Sequence, residues 1–311
     1  MSSSAKWADS AAERALSSGC DPSRELLCVV GPTASGKSDL AMALAKRLSG
    51  EIVTCDSVQI YRAFDLGSGK PSALERAEVP HHLVDLWDPL EPMDVARYVE
   101  LADAAIANIR TRDRIPILCG GTFLWAKALL AGLVQTPQAD ANLRAEHRSL
   151  VETQGQTALH ARLALIDGET AKRLHPSDVL RVSRALEVYA LTGKRLSEWH
   201  REHAFSEVRH PHRLFAVEWP RTTLDVRIRE RVVSWLNAGW IEHVRKLYAD
   251  GYENARAMRS VGYAEVSAHI RGEIAQGELE ERIVRRTRVF VRRQRTWLGH
   301  EAVTSIAPTE E

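Results

Sequence analysis

The sequence predicts an α/β protein: a parallel sheet core flanked by helices, with an all-helical insertion domain. Three observations predict it. Residues 26–38, LLCVVGPTASGKS, are an apolar run that feeds a glycine loop and then a helix. Apolar strands and amphipathic helices alternate from there to residue 131, which favours parallel pairing covered on both faces. From about residue 142 to 205 the strand signal disappears and only helical periodicity remains.

Taken in order, residues 1–23 are rich in Ser and Ala and read as a disordered N-terminal extension; Asp9, Glu13 and Asp21 argue against an acid-poor transit peptide. Residues 24–136 form the first part of the core. Leu26–Val30 reads as a buried strand. Gly31, Pro32, Thr33, Ala34, Ser35, Gly36, Lys37 and Ser38 then spell G-x-x-x-x-G-K-[ST] in the strand–loop–helix setting that a phosphate-binding loop requires, so the core is P-loop NTPase-like. The glycines let the main chain fold close around an anion. Successive N–H groups and the positive end of the next helix point at it. Lys37 supplies a charge to phosphate oxygens and Ser38 a hydroxyl to a magnesium ion. The motif implies a bound di- or triphosphate and leaves open which one.

A second strand, Glu51–Cys55, ends at Asp56-Ser57, and in a parallel sheet the ligand sits beyond the carboxyl ends of the strands. Residues 58–71 read as loop, with a short strand at Leu83–Leu86 and a helix over Val95–Arg110. A strand at Ile115–Cys119 runs into Gly120-Gly121-Thr122 and a helix over Phe123–Ala131. Residues 137–212 form the helical insertion, in which Asp178 reads as an N-cap and Gly193 as a terminating glycine. Residues 213–311 complete the core, with a strand at Leu214–Val217 and then helices. In the last helix, Glu278–Leu298, residues Ile283, Thr287, Phe290, Gln294 and Trp297 form a core-facing stripe. Arg285, Arg288, Arg292 and Arg295 form a second stripe, with Arg282, Arg286 and Arg293 beside it. That face meets an anion such as a phosphodiester, or else pairs with acids elsewhere or with solvent.

Composition narrows the class. A 44% apolar chain of 311 residues can bury a full core. Net charge is only +1, so any nucleic-acid contact must be local. Four cysteines without C-x-x-C spacing read as small core residues in a reducing compartment, with no zinc site. No apolar run is long enough to span a membrane, and no heptad seam calls for a dimer, so a monomer is expected.

P-loop proteins mostly transfer or hydrolyse the terminal phosphoryl group. Here the strand ending in Gly-Gly-Thr lacks the acid of a Walker-B magnesium ligand, and the acid, Asp56, ends the other strand. Asp56 reads either as a general base facing the phosphate site or as a cap on the next turn.

Eight segments carry a resemblance: GPTASGKS (31–38), CDSVQIYRAFDLGSGKP (55–71), PHHLVD (80–85), IPILCGGTFLW (115–125), HPSDVLRVSRALEV (175–188), DVRIRERV (225–232), MRSVGYAE (258–265) and RRQRTWL (292–298). Together and in order they resemble the tRNA dimethylallyltransferase family, of bacterial type. The resemblance implies transfer of a dimethylallyl group from dimethylallyl diphosphate to N6 of adenosine 37, beside the anticodon of tRNAs reading codons that begin with U. The loop then holds the departing diphosphate, with Mg2+. Asp56 corresponds to the general base, and Thr122 and Arg231 to positions that orient or neutralise the diphosphate. Asp56, Ser57, Val58, Gln59, Thr122, Arg144, Leu180, Arg181, Val182, Ser183, Arg184, Arg259, Ser260, Val261, Gly262, Tyr263 and Ala264 match segments that contact tRNA. The insertion would grip the anticodon stem. A cytoplasmic enzyme is implied. Two rivals use the same loop: a small-molecule or nucleotide kinase taking ATP, and an adenylate isopentenyltransferase acting on free AMP or ADP.

Overall fold

A computed structural model describes residues 3–133, 136–203 and 208–307. Residues 1–2 of the expected extension, 134–135 and 204–207 around or within the expected insertion, and 308–311 lie outside the described residues.

In chain order the elements are α1 (Ser3–Leu16), β1 (Leu26–Val30), α2 (Lys37–Leu48), β2 (Glu51–Cys55), α3 (Ala73–Glu78), β3 (His81–His82), α4 (Val95–Arg110), β4 (Pro116–Gly120) and α5 (Phe123–Ala131). The helical stretch follows: α6 (Ala141–Gln154), α7 (Gln156–Ile166), α8 (Gly168–Arg173), α9 (Val179–Thr192) and α10 (Leu196–His203). The chain then returns through β5 (His212–Val217), α11 (Arg221–Asn237), α12 (Trp240–Ala249), a 3-10 turn at Arg256–Arg259, α13 (Tyr263–Ile270), α14 (Gln276–Leu298) and β6 (Thr304–Ile306). Among the described residues no helix is long and apolar enough to cross a membrane.

The six strands form one parallel sheet in the order β3-β2-β4-β1-β5-β6. β1, β2 and β4 are buried along their whole length, which explains why they read as continuous apolar runs without alternation. Their register positions the site. Gly120 pairs with Val30 on one side and with Cys55 on the other, so β1, β4 and β2 end level. The next residues, Gly31, Gly121 and Asp56, therefore leave the sheet side by side at its carboxyl edge.

Two expectations are corrected in this unit. The N-terminal extension is not frayed from residue 3 onward: it forms α1. Ala8, Ala11, Ala12 and Ala15 recur at helical spacing and are all buried, packed against α2. A stripe of alanines is a core face that composition alone reads as low complexity. Each buried methyl contributes about 0.8 kcal/mol, so the larger Trp7 side chain, also buried, provides much of the docking. Asp9 and Glu13 add ion pairs to Arg47. The strand expected at Leu83–Leu86 is instead the two-residue β3. Leu83 and Asp85 adopt left-handed φ of 62° and 53°, which no extended strand tolerates. The Asp85 carboxylate is drawn away to Arg76, at 2.6 Å, and to Lys70.

Residues Ala131–Val208 form a second compact unit, where residues 137–212 had been expected. The boundary is earlier at the far end because His212 already pairs with Leu26 in the sheet. The core closes behind the excursion: Arg209 N donates to Leu130 O at 3.0 Å, and the Arg209 guanidinium reaches Leu129 O and Asp103. Within the helical unit, Leu150, Leu159, Leu163, Val182, Ala185 and Leu186 form the core. Glu187 is fully buried beneath them and accepts from Asp140 N at 2.7 Å, from Arg144 Nε at 3.0 Å and from Arg184. Burial pushes its carboxyl pKa up, and the bonds from Arg184 and Arg144 outweigh that and hold it below the usual value. Gly193 ends α9 with a φ of 69°. Asp178 precedes α9 without a side-chain capping bond and pairs with Arg181 at 3.3 Å instead.

Candidate active site

A cavity of about 300 Å³ opens where β1, β4 and β2 end. The phosphate loop contributes Thr33, Ala34, Lys37 and Ser38, the turn after β2 contributes Asp56 to Gln59, and Gly121 and Thr122 follow β4. α11 contributes Arg231. An apolar and aromatic wall comes from Ile228, Val232, Trp235, Trp240 and Phe290.

The loop is shaped by its own residues. Gly36 takes a left-handed φ of 87° and α2 opens at Lys37, so the helix N-terminus faces the loop. Gly31, Pro32 and Ser35 form the back of the loop, with Ser35 fully buried. Lys37 Nζ lies 3.4 Å from Pro32 O, and burial pulls its pKa below the usual lysine value. Burial pulls Arg231 down to about 10, with the Asp56 and Asp39 carboxylates opposing that shift. Its guanidinium rests on the Trp235 ring, 4.4 Å from the centroid. Gly69 makes room for it: at a φ of 69°, a Cβ there would lie 1.8 Å from Arg231 Nη2. Two half-buried cations in one cleft, both partly desolvated, are suited to a polyanion that pairs with them.

Asp56 meets the reading as a turn cap. Its Oδ1 accepts from Val58 N at 2.9 Å and from Gln59 N at 3.2 Å, which caps the following turn. Among the described residues no hydrogen bond reaches its Oδ2, and the side chain lines the cavity. Thr122 holds this turn from β4: its hydroxyl accepts from Ser57 N at 3.0 Å. Gln59 Nε2 donates to Ser68 O and Gly69 O, at 3.1 and 2.9 Å, and so ties the glycine loop beneath Arg231 to the Asp56 turn.

One residue central to the geometry has no distinct signature in the sequence. Gln294 of α14 accepts from Thr33 N at 3.0 Å through its carbonyl and donates to Gly121 O at 3.0 Å through its amide. It clamps the phosphate loop to the turn after β4. The available signal was a polar residue inside an apolar stripe. That stripe is itself corrected: Ile283, Thr287, Phe290 and Gln294 line the cavity, whereas Trp297 stacks on Phe123 at 4.2 Å.

The remaining expected RNA contacts separate into groups. Ser260, Val261 and Tyr263 line the cavity, and Tyr263 donates its hydroxyl to Leu66 O at 2.7 Å. Gly262 is buried against Trp240, Arg259 is exposed, and Ala264 is half-buried outside the lining. In the helical unit Leu180 and Arg181 are exposed. The side chain of Val182 is core, Ser183 is buried on His147 at 2.8 Å, and Arg144 and Arg184 serve Glu187. The side chains of Val182 and Ser183 therefore offer nothing to RNA, because their helix face is the unit's interior. On α14 the arginine face also divides. Arg288 pairs with Asp225 at 3.2 Å, Arg286 with Glu265 at 3.3 Å and Arg282 with Glu278 at 3.6 Å. Arg285, Arg292, Arg293 and Arg295 are exposed and form no ion pair among the described residues.

A divalent cation fits this donor set only with help. Among the described residues no group of three or more His, Cys, Asp or Glu converges to hold one. Ser38 is a hard oxygen ligand at the helix start, and magnesium ordinarily takes most of its shell from water and phosphate oxygens.

The sheet and the loop define a P-loop α/β protein, one whose acid ends β2 while β4 ends in Gly-Gly-Thr. The chain belongs to the IPP transferase family. The IPP transferase model matches residues 59–301, and the isopentenyl transferase model matches residues 24–81. It is 57% identical over 283 residues to the tRNA dimethylallyltransferase of Sorangium cellulosum, covering 91% of this chain and 90% of that one. It resembles the solved tRNA isopentenylpyrophosphate transferase of Bacillus halodurans at 34% identity and a TM-score of 0.66, covering 92% and 91% of the two chains. It also resembles a eukaryotic dimethylallyltransferase acting on tRNA at 25% identity and a TM-score of 0.78, covering 92% of this chain and 74% of that one.

Proposed function

We propose that the chain transfers the dimethylallyl group of dimethylallyl diphosphate to N6 of adenosine 37 in tRNAs reading codons that begin with U, giving N6-isopentenyladenosine and diphosphate. The names of its relatives support the reaction class. The observation that carries it is that an acid with an uncommitted oxygen, Asp56, lines the same cavity as the phosphate-loop cation Lys37.

Phosphate-loop amides, Lys37 and Arg231 receive the diphosphate. The N6 nitrogen bonds to the allylic carbon as the carbon–oxygen bond breaks, and that electron pair leaves on the diphosphate. The N6 proton passes to Asp56 Oδ2, whose partner oxygen is held by Val58 N and Gln59 N. The cations stabilise charge that grows only as the bond breaks, so they accelerate the chemical step as well as binding. The apolar wall suits the hydrocarbon and excludes water from a reactive allylic centre. A magnesium ion held by Ser38 would neutralise further diphosphate charge. The adenine leaves its stack to enter, at a cost of a few kcal/mol. The exposed arginines of α14 bind phosphates.

The test is incubation with an anticodon stem-loop and dimethylallyl diphosphate, read by mass spectrometry. Gain of one isopentenyl group on the target adenosine is expected. Consumption of ATP with the allylic donor untouched would overturn the reading in favour of a kinase, and transfer to AMP but not to the stem-loop would favour the adenylate enzyme.

A further inference from the structure

We propose that the N-terminal helix α1 is a positioning element of the phosphate loop, acting through Trp7. α1 lies ahead of residue 24, where the match to the isopentenyl transferase model begins.

Three consecutive loop residues are gripped from outside the cavity. Arg227 Nε donates to Ala34 O at 2.9 Å. Trp219 Nε1 donates to Ser35 O at 2.7 Å. The Trp7 ring lies against Gly36 so closely that a Cβ there would stand 2.7 Å from it. The three holding side chains are themselves stacked. Trp7 meets Trp219 edge-on, centroids 6.3 Å apart at 70°, and the Arg227 guanidinium sits 4.8 Å above the Trp219 ring. A trans peptide plane carries its C=O and N–H on opposite sides. Fixing Ser35 O from outside therefore turns the Gly36 N–H toward the inside of the loop, where an anion is bound. Without Trp7 the Trp219 ring loses its edge-on neighbour, and Gly36, in its left-handed conformation, loses the ring packed most closely against it. Three polar side chains of α1 are engaged away from the loop: Asp9 and Glu13 pair with Arg47, and Arg14 donates to Ala307 O. Trp7 does not line the cavity and packs on Gly36, so its effect passes through the loop's amides.

The consequence is a donor-specific defect. This inference rests on the transferase reading for its kinetic form, and its binding form stands without it. In the full chain, Trp7→Ala is expected to weaken binding of inorganic pyrophosphate about tenfold by calorimetry and to raise the KM for dimethylallyl diphosphate by a similar factor. The KM for the stem-loop should stay within twofold. Trp7→Phe, which keeps a ring against Gly36, should restore most of the affinity. Trp219→Phe, which keeps the ring but removes the Nε1 donor, should show the same pyrophosphate defect. Glu13→Ala, which removes one of the two carboxylates on Arg47 and leaves Asp9 and the buried alanines to keep α1 and Trp7 docked, should leave pyrophosphate affinity unchanged. Equal pyrophosphate affinity in Trp7→Ala and the unmodified chain would overturn the proposal and make α1 a structural cover only. So would a Glu13→Ala variant with the same binding defect. A chain that binds pyrophosphate in this Trp7-dependent way but transfers no allyl group would retain the brace and reject the transferase reading.

Discussion

The hydroxyl of Thr122, just beyond β4, accepts the main-chain N–H of Ser57, just beyond β2, at 3.0 Å. This bond fixes the segment that carries Asp56 relative to the strand beside it. The side chain expected to orient a leaving group therefore also positions Asp56.

Removing that acceptor is expected to displace the base without unfolding the sheet. Thr122→Ala should lower kcat about tenfold, the kinetic equivalent of about 1.4 kcal/mol, with the stem-loop KM little changed. Thr122→Ser keeps the oxygen and should recover most of the rate. Steady-state kinetics on both variants checks this.

Only one oxygen of Asp56 is committed to the turn, and two substitutions separate the cap from the proposed base. Asn retains an Oδ1 that accepts from Val58 N and Gln59 N, but is no base. Asp56→Asn should therefore fold with an unchanged melting temperature, bind pyrophosphate and lose about 10²- to 10⁴-fold in kcat. Asp56→Ala should lose the same activity and in addition about 1 kcal/mol of stability, the usual value of a capping bond. Chemical denaturation distinguishes them.

Arg231 should stabilise the bound state at the expense of the empty one. Burial lowers its pKa to about 10, so from about pH 10 up to the usual arginine value the unfolded chain binds more protons than the folded chain. Stability attributable to this residue therefore rises with pH in that window, and at neutral pH the cost of the buried cation is fully present. Arg231→Met should leave the empty protein as stable or raise it by about 1 kcal/mol. It should also lose most of the melting-temperature rise that pyrophosphate gives and about a hundredfold in transfer. In the unmodified chain, pyrophosphate affinity should fall as pH approaches 10. Thermal shift with and without pyrophosphate, from neutral pH to that point, reads both effects.

The arginine face of α14 should divide as its ion pairs do. Substituting the exposed Arg285, Arg292 or Arg293 by Ala should reduce the salt dependence of tRNA binding by about 0.7 to 0.9 log unit for each phosphate left without its cation. Arg288→Ala should leave the slope unchanged and reduce stability slightly, because Arg288 serves Asp225. Binding measured across a salt series checks this.

The same residues separate what could be read from the chain from what could not. The phosphate loop, Asp56 and Thr122 were legible because each sits at the end of an apolar strand, and a parallel sheet brings those ends together. The level register through Gly120 is what turns that rule into one cavity. α1 was not legible because alanine carries little hydrophobic signal, although four of them bury against α2. β3 was misplaced because Leu83 and Asp85 take left-handed backbone that apolar patterning does not reveal. Gln294 was visible only as an anomaly in a stripe, since the amide it accepts from and the carbonyl it donates to lie 261 and 173 residues away. The pairing of Arg288 and Arg286 depends on acids from other helices, which local charge counting does not see.

Because Arg209 N bonds to Leu130 O, the chain leaves the core and comes back at adjacent points, as at the neck of a purse. Residues 131–208 could be taken out, and a tight turn put in their place, without moving a strand. Evolution could acquire or exchange this helical unit by one splice in a surface loop, leaving the strands and the cavity at the sheet edge intact.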